Sequence, residues 1–242
     1  MPAGPARPRW EYAKIQRMSD LDKLAFAGLL RMVVAVAALL FLPAWTLRYW
    51  QAWIFLSVFF VSVLAITVYL VKNDAKLLER RLKAGPRAEK EPTQRIIQLV
   101  ATIAFITAVV FPPIDHRFAW STVPAYVSIA GDVLVFLGLL IIFFVFKENT
   151  FTSAVIEVDA QQKVVTTGPY ALIRHPMYAG ALVMFVGMPL ALGSLWGLLT
   201  IIPLTVVIVL RLLDEEKFLA RNLPGYSDYS NKIGYRLLPY VW

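Results

Sequence analysis

The sequence predicts an all-α, multi-pass membrane protein of about six transmembrane helices, with a polar functional region gathered at one face. Three observations carry this. Fifty-nine per cent of the 242 residues are hydrophobic and only 17 per cent are charged, well below the roughly one quarter charged that is usual in soluble domains. Long uncharged stretches recur, such as Tyr49–Val71, about 23 residues and enough to cross a hydrocarbon core of roughly 30 Å as a helix. The connectors between them are short, polar and rich in Lys and Arg, which leaves little room for a soluble domain.

Taken in order, residues 1–9 carry three prolines and two arginines and are expected to form a mobile tail. In the rest of the leader, to residue 23, Trp10, Tyr12 and Ile15 lie among Lys14, Arg17 and Lys23. That pattern suits a short helix lying at the membrane interface; an unstructured basic leader is the alternative. The pattern of a cleaved signal peptide is lacking, so insertion falls to the first span. Span 1 is expected from Leu24 to Trp45, with Arg31 near enough to its start to snorkel to the headgroups. Pro43, Trp45, Tyr49 and Trp50 mark an aromatic turn at the opposite interface, and span 2 follows over Tyr49–Val71.

The connector over 72–95 holds eight Lys or Arg against four Asp or Glu. Asn73 and Asp74 read as helix N-caps and Gly85-Pro86 as a stop. Leu77, Leu78 and Leu82 give that helix one apolar face, which would rest on the membrane. Span 3, Ile96–Ile114, is expected to end at Pro112-Pro113. His116 then sits in a turn where it would bond Asp115 or lipid headgroups. Span 4, Val123–Phe146, contains Asp132, an acid inside the membrane and so a functional candidate by default; a structural hydrogen bond is the plainer role. Beyond the connector from Lys147 to Arg174, the uncharged stretch Pro176–Leu210 is about 35 residues long, which reads as a hairpin of two short spans. Gly193-Ser194 is its expected turn, and Gly193 with Gly197 forms a GxxxG pair, a motif of close helix contact. Four spans thus occupy residues 24–146, and 147–242 hold the functional region.

The formal charge is +8. The basic residues lie in the leader, the 72–95 and 147–174 connectors and the tail, whereas the other side keeps Arg48 and Arg117. Six spans with both termini cytoplasmic satisfy the positive-inside rule. Charges so placed meet the lipid bilayer and its anionic headgroups rather than nucleic acid. There is no cysteine, and the histidines are His116 and His175. Disulfides, Cys nucleophiles and thiolate or His-rich metal centres are thereby excluded, and no metal is expected.

Two polar clusters share the cytoplasmic face. In the first, Val164–Gly180, His175 precedes a proline and is biased away from helix, while Pro176 suits the first helical position. The helix starting there presents unpaired N–H groups and a positive dipole end, suited to a carboxylate or phosphate. Tyr170 and Tyr178 offer aromatic faces, and Gly180 lets another backbone approach. A polar turn anchored by Arg174 and Tyr178 is the plainer reading. In the second, Arg211 and Glu215 stand four apart and share a helix face. They form either an intrahelical salt bridge or, with Arg211 at the membrane boundary, a grip for a carboxylate.

GPYALIRHPMYAG, a hydrophobic hairpin, and then RLLDEEKFLARNLPGYSDY resemble the isoprenylcysteine carboxyl methyltransferase family of integral membrane methyltransferases. The wider group includes phospholipid methyltransferases. The resemblance covers residues 147–242 and rests on R-H-P-x-Y followed by E-E and G-Y-x-x-Y. It implies S-adenosylmethionine bound without a Rossmann domain, which fits a chain with no GxGxxG. Carried over, the cofactor contacts fall on Gln162, Lys163, Val164, Val165, Tyr170, His175, Pro176, Met177, Tyr178 and Glu215. Arg211 matches the arginine placed against the substrate, and Arg211, Glu215 and Arg174 become the candidate catalytic residues. Gln162 stands where some members have histidine, and Val155–Val158 lacks the glutamine expected nearby.

The implied reaction is attack of a substrate carboxylate on a sulfonium methyl, giving a methyl ester. The acceptor would be a lipidated cysteine or another lipophilic carboxylate. It is already ionised near neutral pH and calls for no general base. The membrane would be the cell membrane of a prokaryote or the endoplasmic reticulum of a eukaryote. Three other readings stand beside this one: a phospholipid or amine N-methyltransferase, an NADPH-dependent sterol-type reductase, and a non-enzymatic membrane scaffold. The reductase would need a basic pocket for a 2′-phosphate, and the 147–174 connector offers only Lys147, Lys163 and Arg174.

Overall fold

The computed structural model describes residues 9–82, 92–155, 158–159 and 161–242, with residues 9–19 and 92 described by their backbone alone. The described chain is helical: α1 (Arg9–Ala44), α2 (Trp50–Asn73), α3 (Ala75–Leu82), α4 (Pro92–Phe118), α5 (Ala125–Glu148), α6 (Pro176–Ala191), α7 (Ile201–Asn222) and α8 (Tyr226–Lys232). A multi-pass membrane protein is what this architecture describes. Among the described residues five helices, not the expected six, are long and apolar enough to cross a bilayer, and they lie within α1, α2, α4, α5 and the stretch Trp196–Asn222. The helix that falls short is the 16-residue α6, roughly 24 Å at 1.5 Å per residue. The pair α6 and α7 is therefore one short and one long helix rather than two short ones.

Four other expectations give way to the structure. The leader and span 1 are a single 36-residue helix beginning at Arg9, because no Gly or Pro between Arg9 and Leu24 interrupts it; residues 1–8 lie outside the described chain. Helix α4 continues through Pro112-Pro113 to Phe118. Both prolines are fully buried, and neighbouring helices in a membrane bundle can hold a proline-containing helix together. Asp74 does cap α3, its Oδ1 accepting from the Leu77 N–H at 2.9 Å. Asn73 instead ends α2, its side chain bonded back to the Tyr69 carbonyl. The apolar face of α3 is covered by protein: Leu77 and Leu78 are buried with Ala25, Ile66, Leu70, Val145 and Phe146, while Leu82 stays exposed. Gly85-Pro86 falls outside the described residues.

Helices α5 and α6 make the most extensive contact in the bundle. Two glycine pairs, each seven residues apart, allow it: Gly131 and Gly138 on α5, Gly180 and Gly187 on α6. A methyl group at Gly138 would sit 2.5 Å from the Gly180 carbonyl oxygen, and one at Gly187 would sit 2.7 Å from that of Gly131. The expected role of Gly180 is met. The GxxxG pair works differently: Gly193 has φ +70° and makes the turn, and Gly197 packs on Pro189 and Ser194.

That turn is pinned at the end of the bundle opposite the polar clusters. The Tyr49 hydroxyl donates to the Leu192 carbonyl at 2.6 Å, and its ring stacks on His116 at 3.9 Å. Buried Asp115 accepts from the Ser121 backbone at 2.7 Å and from Ser194 Oγ. His116 thus has a stacking role. Asp132 is 5% exposed, and neither of its oxygens has a hydrogen-bond partner; it does not line the cavity described next.

Candidate active site

The two polar clusters meet. A cavity of about 450 Å³ opens between the α5–α6 connector, the start of α6, α7 and the first turns of α4, within the usual size of a small-molecule cleft. Every residue carried over from the family resemblance lines it: Gln162, Lys163, Val164, Val165, Tyr170, His175, Pro176, Met177, Tyr178 and Glu215, with Arg174 and Arg211. Its deeper wall, formed by Ile142, Ala181, Phe185 and Ile208, is apolar.

Local sequence explains the placement. Pro169 and Gly168, with φ +57°, turn the connector through a short 3-10 segment, Gly168–Ala171. His175, with φ −125° and ψ 61°, stands outside helical geometry and Pro176 starts α6, so the open N-terminus of that helix faces the cavity. On the opposite wall, Arg211 and Glu215 lie one turn apart on α7. The Tyr178 hydroxyl donates to Glu215 Oε2 at 2.6 Å and so ties α6 to α7. Arg211 donates to Gln94 Oε1 at 3.2 Å and to the Ala154 carbonyl at 3.2 Å, and its side chain also reaches the Tyr178 hydroxyl.

Arg174 and His175 belong to a second knot around Glu216, whose side chain is only 12% exposed. Glu216 meets Arg174 Nη1 at 2.8 Å, His175 Nε2 at 3.2 Å and Arg236 Nε at 2.9 Å. The C-terminal tail runs beside them: the Arg174 N–H donates to the Tyr235 carbonyl and that of His175 to the Arg236 carbonyl. A carboxylate buried this deeply is stable only with such partners, and here they hold the connector, α7 and the tail together. Tyr229 adds a hydrogen bond from its hydroxyl to the Tyr170 carbonyl at 2.8 Å. Burial raises the Tyr170 phenol pKa, with the hydrogen bonds from Asn149 and Thr152 opposing the shift, so Tyr170 presents a neutral aromatic face.

Among the lining residues that escaped the sequence reading are Arg81, Gln98, Asn149 and Phe185. Arg81 looked like one more membrane-surface cation. It is folded inward, donating to the Ser153 carbonyl at 3.1 Å with its guanidinium over the Phe146 ring. Burial lowers its pKa, Tyr178 opposing and Arg211 adding to the effect. A signal for the glutamines was present: Gln94 and Gln98 lie four apart and so on one face of a helix start. Among the described residues no group of His, Asp and Glu is arranged to hold a metal ion.

The donor set suits an amino-acid-bearing nucleoside. A helix N-terminus matches a carboxylate, Glu215 an ammonium, and the neutral faces of Tyr170, Tyr178, Tyr226 and Tyr229 a planar base. Residues 126–224, from α5 through α7, match the family model described as phospholipid methyltransferase. The chain is also 28% identical over 156 residues to proteins of Oryza sativa subsp. indica and subsp. japonica, each named a probable protein-S-isoprenylcysteine O-methyltransferase. The matched stretch covers 59% of this chain and 80% of each relative.

Proposed function

We propose, from the premise that this chain is a membrane methyltransferase related to the phospholipid and isoprenylcysteine enzymes, that it O-methylates a lipophilic carboxylate using S-adenosylmethionine. The observation that carries the proposal is the pairing on one wall of Arg211, suited to an anion, with Glu215, suited to a cation, above an apolar floor. S-adenosylmethionine supplies an electrophilic methyl group on a sulfonium. The α6 N-terminus and Glu215 would hold its amino-acid portion, with Tyr178 fixing the Glu215 carboxylate through the 2.6 Å bond. Gln162–Val165 and Tyr170 would flank the nucleoside, so residues 147–242 act as the methyltransferase core.

Arg211 would orient the acceptor carboxylate, and the wall of Ile142, Phe185 and Ile208 would take the start of its lipid chain. Alignment of two held reactants is the main catalytic contribution such a site makes. The basic leader and connectors support a cytoplasmic site by the positive-inside rule, on the side where a soluble methyl donor is present. A lipidated cysteine, as in the printed name of the rice relatives, is the preferred acceptor class.

Titration of the detergent-purified protein separates the enzyme classes. S-adenosylmethionine should bind and NADPH should not. The NADPH arm is a demanding one, because Arg81 and Arg211 join Lys163 and Arg174 around the cavity. Binding of NADPH alone would transfer the chain to the reductases, and binding of neither would leave a scaffold. Glu215→Gln should weaken S-adenosylmethionine binding by about tenfold to a hundredfold, the worth of one charge-assisted hydrogen bond. Unchanged affinity would remove Glu215 from the cofactor site.

The family model that matches is named for phospholipid methyltransfer, which favours N-methylation as the second reading. The pH profile discriminates. A carboxylate acceptor is ionised above about pH 5 and should give a kcat/KM level from roughly pH 6 to 8. An amine acceptor must lose a proton, so its kcat/KM should climb over that range with unit slope.

A further inference from the structure

Gln94 reaches the site only through Arg211. It stands in the first turn of α4, is 1% exposed, and uses both ends of its carboxamide on α7. Its Oε1 accepts from Arg211 Nη1 at 3.2 Å, and its Nε2 donates to Asp214 Oδ2. Arg211 and Asp214 are three residues apart, a spacing at which opposite charges on a helix are neighbours and attract. The carboxamide lies between them. One planar group that accepts on one edge and donates on the other is what this place requires. Glutamate cannot donate and leucine can do neither.

We propose that Gln94 is a positioning residue that spaces Arg211 from Asp214 and thereby sets the affinity for the anionic acceptor. The inference rests on the reading of Arg211 as the acceptor's anchor. Gln94 and the Ala154 carbonyl, bonded to Nη2 at 3.2 Å, are two neutral oxygens that help to set the plane of the guanidinium. Asp214 is held on the far side of the carboxamide. Without the spacer, Asp214 would draw Arg211 along α7 into an ion pair, and the acceptor carboxylate would compete with a covalently tethered one.

The test uses the full-length protein with S-adenosylmethionine and N-acetyl-S-farnesylcysteine as the acceptor probe. Gln94→Leu should raise the probe's KM by about tenfold or more, the scale of one hydrogen bond to a charged group, while S-adenosylmethionine affinity stays within about twofold. Adding Asp214→Asn to that variant should recover most of the loss, since a neutral partner cannot capture Arg211. A purely structural role for Gln94 predicts no recovery, and that result would overturn the proposal.

Gln94→Glu, nearly identical in size, guards against misfolding of the leucine variant. It sets a carboxylate directly on Arg211 and should raise KM with the fold intact; an unchanged KM would also overturn the spacer role. Arg211→Ala, measured alongside, separates the two levels. If it leaves the probe's KM and turnover unaltered, or if the unsubstituted protein neither binds nor methylates the probe, the carboxylate reading falls and the spacer falls with it. If Arg211→Ala matters and the Gln94 variants do not, only the spacer is lost.

Discussion

Arg211→Ala should abolish methyl transfer while leaving S-adenosylmethionine binding near its original strength. Arg211 projects from α7 into the cavity at the level where the polar wall gives way to Phe185 and Ile208. A lipophilic carboxylate approaching from that apolar side would meet the guanidinium first. Loss of a desolvated charge-pair contact costs about 2–5 kcal/mol, or roughly 30-fold to several-thousand-fold in kcat/KM at 1.4 kcal/mol per decade. Asp214 and Glu215, three and four residues further along α7, would keep their places because Gln94 and Tyr178 hold them from other helices. Single-turnover rates together with equilibrium titration measure the two properties separately. Equal loss of both would show that Arg211 maintains the site rather than the acceptor.

Gly138→Ala is expected to damage the bundle severely for a change of a single methyl group. The new methyl would lie 2.5 Å from the Gly180 carbonyl oxygen and 2.6 Å from the Met184 nitrogen, and neither backbone atom can rotate away. Helices α5 and α6 would have to separate, at about 1–3 kcal/mol or more for an overpacked interface. The movement would also carry the start of α6, and with it His175 and Tyr178, away from α7. Gly28→Ala is the matched control, because a methyl there meets nothing within 4 Å. Thermal unfolding in detergent should show a clear drop for Gly138→Ala and none for Gly28→Ala. Equal stability of the two would mean that α5 and α6 can part without cost.

The Glu216 knot explains why the C-terminal tail matters to a site whose lining residues end at Tyr229. Arg174 and His175 stand immediately before α6, and they are fixed through Glu216 on α7 and through backbone hydrogen bonds to the carbonyls of residues 235 and 236. The tail is thus a strap that fixes the entry angle of α6. Arg174, a candidate catalytic residue by sequence, lines the cavity while its guanidinium is engaged with Glu216 and the Gly234 carbonyl.

The sequence by itself determined the class of the protein and the two polar clusters that line the cavity. Uncharged runs of membrane length and the lack of any soluble-domain composition settle the first. The second follows because His175-Pro176 and Arg211–Glu215 are polar features at the ends of apolar helices, and helix ends are legible from Pro, Gly and charge. Tertiary structure alone decided how many helices are long enough to span, since α6 is short only because the chain turns at Gly193 under the grip of Tyr49 and Asp115. It also decided which polar residues face inward. Arg81, Gln94 and Gln98 differ little in sequence from neighbours exposed at the membrane surface. Their direction depends on the rotation of α3 and α4 against α7, a matter of long-range packing that local periodicity does not encode. The α5–α6 glycines belong to the same category: each is visible in the chain, but their meaning comes from alignment across two helices, where one backbone must pass within a methyl group's width of the other.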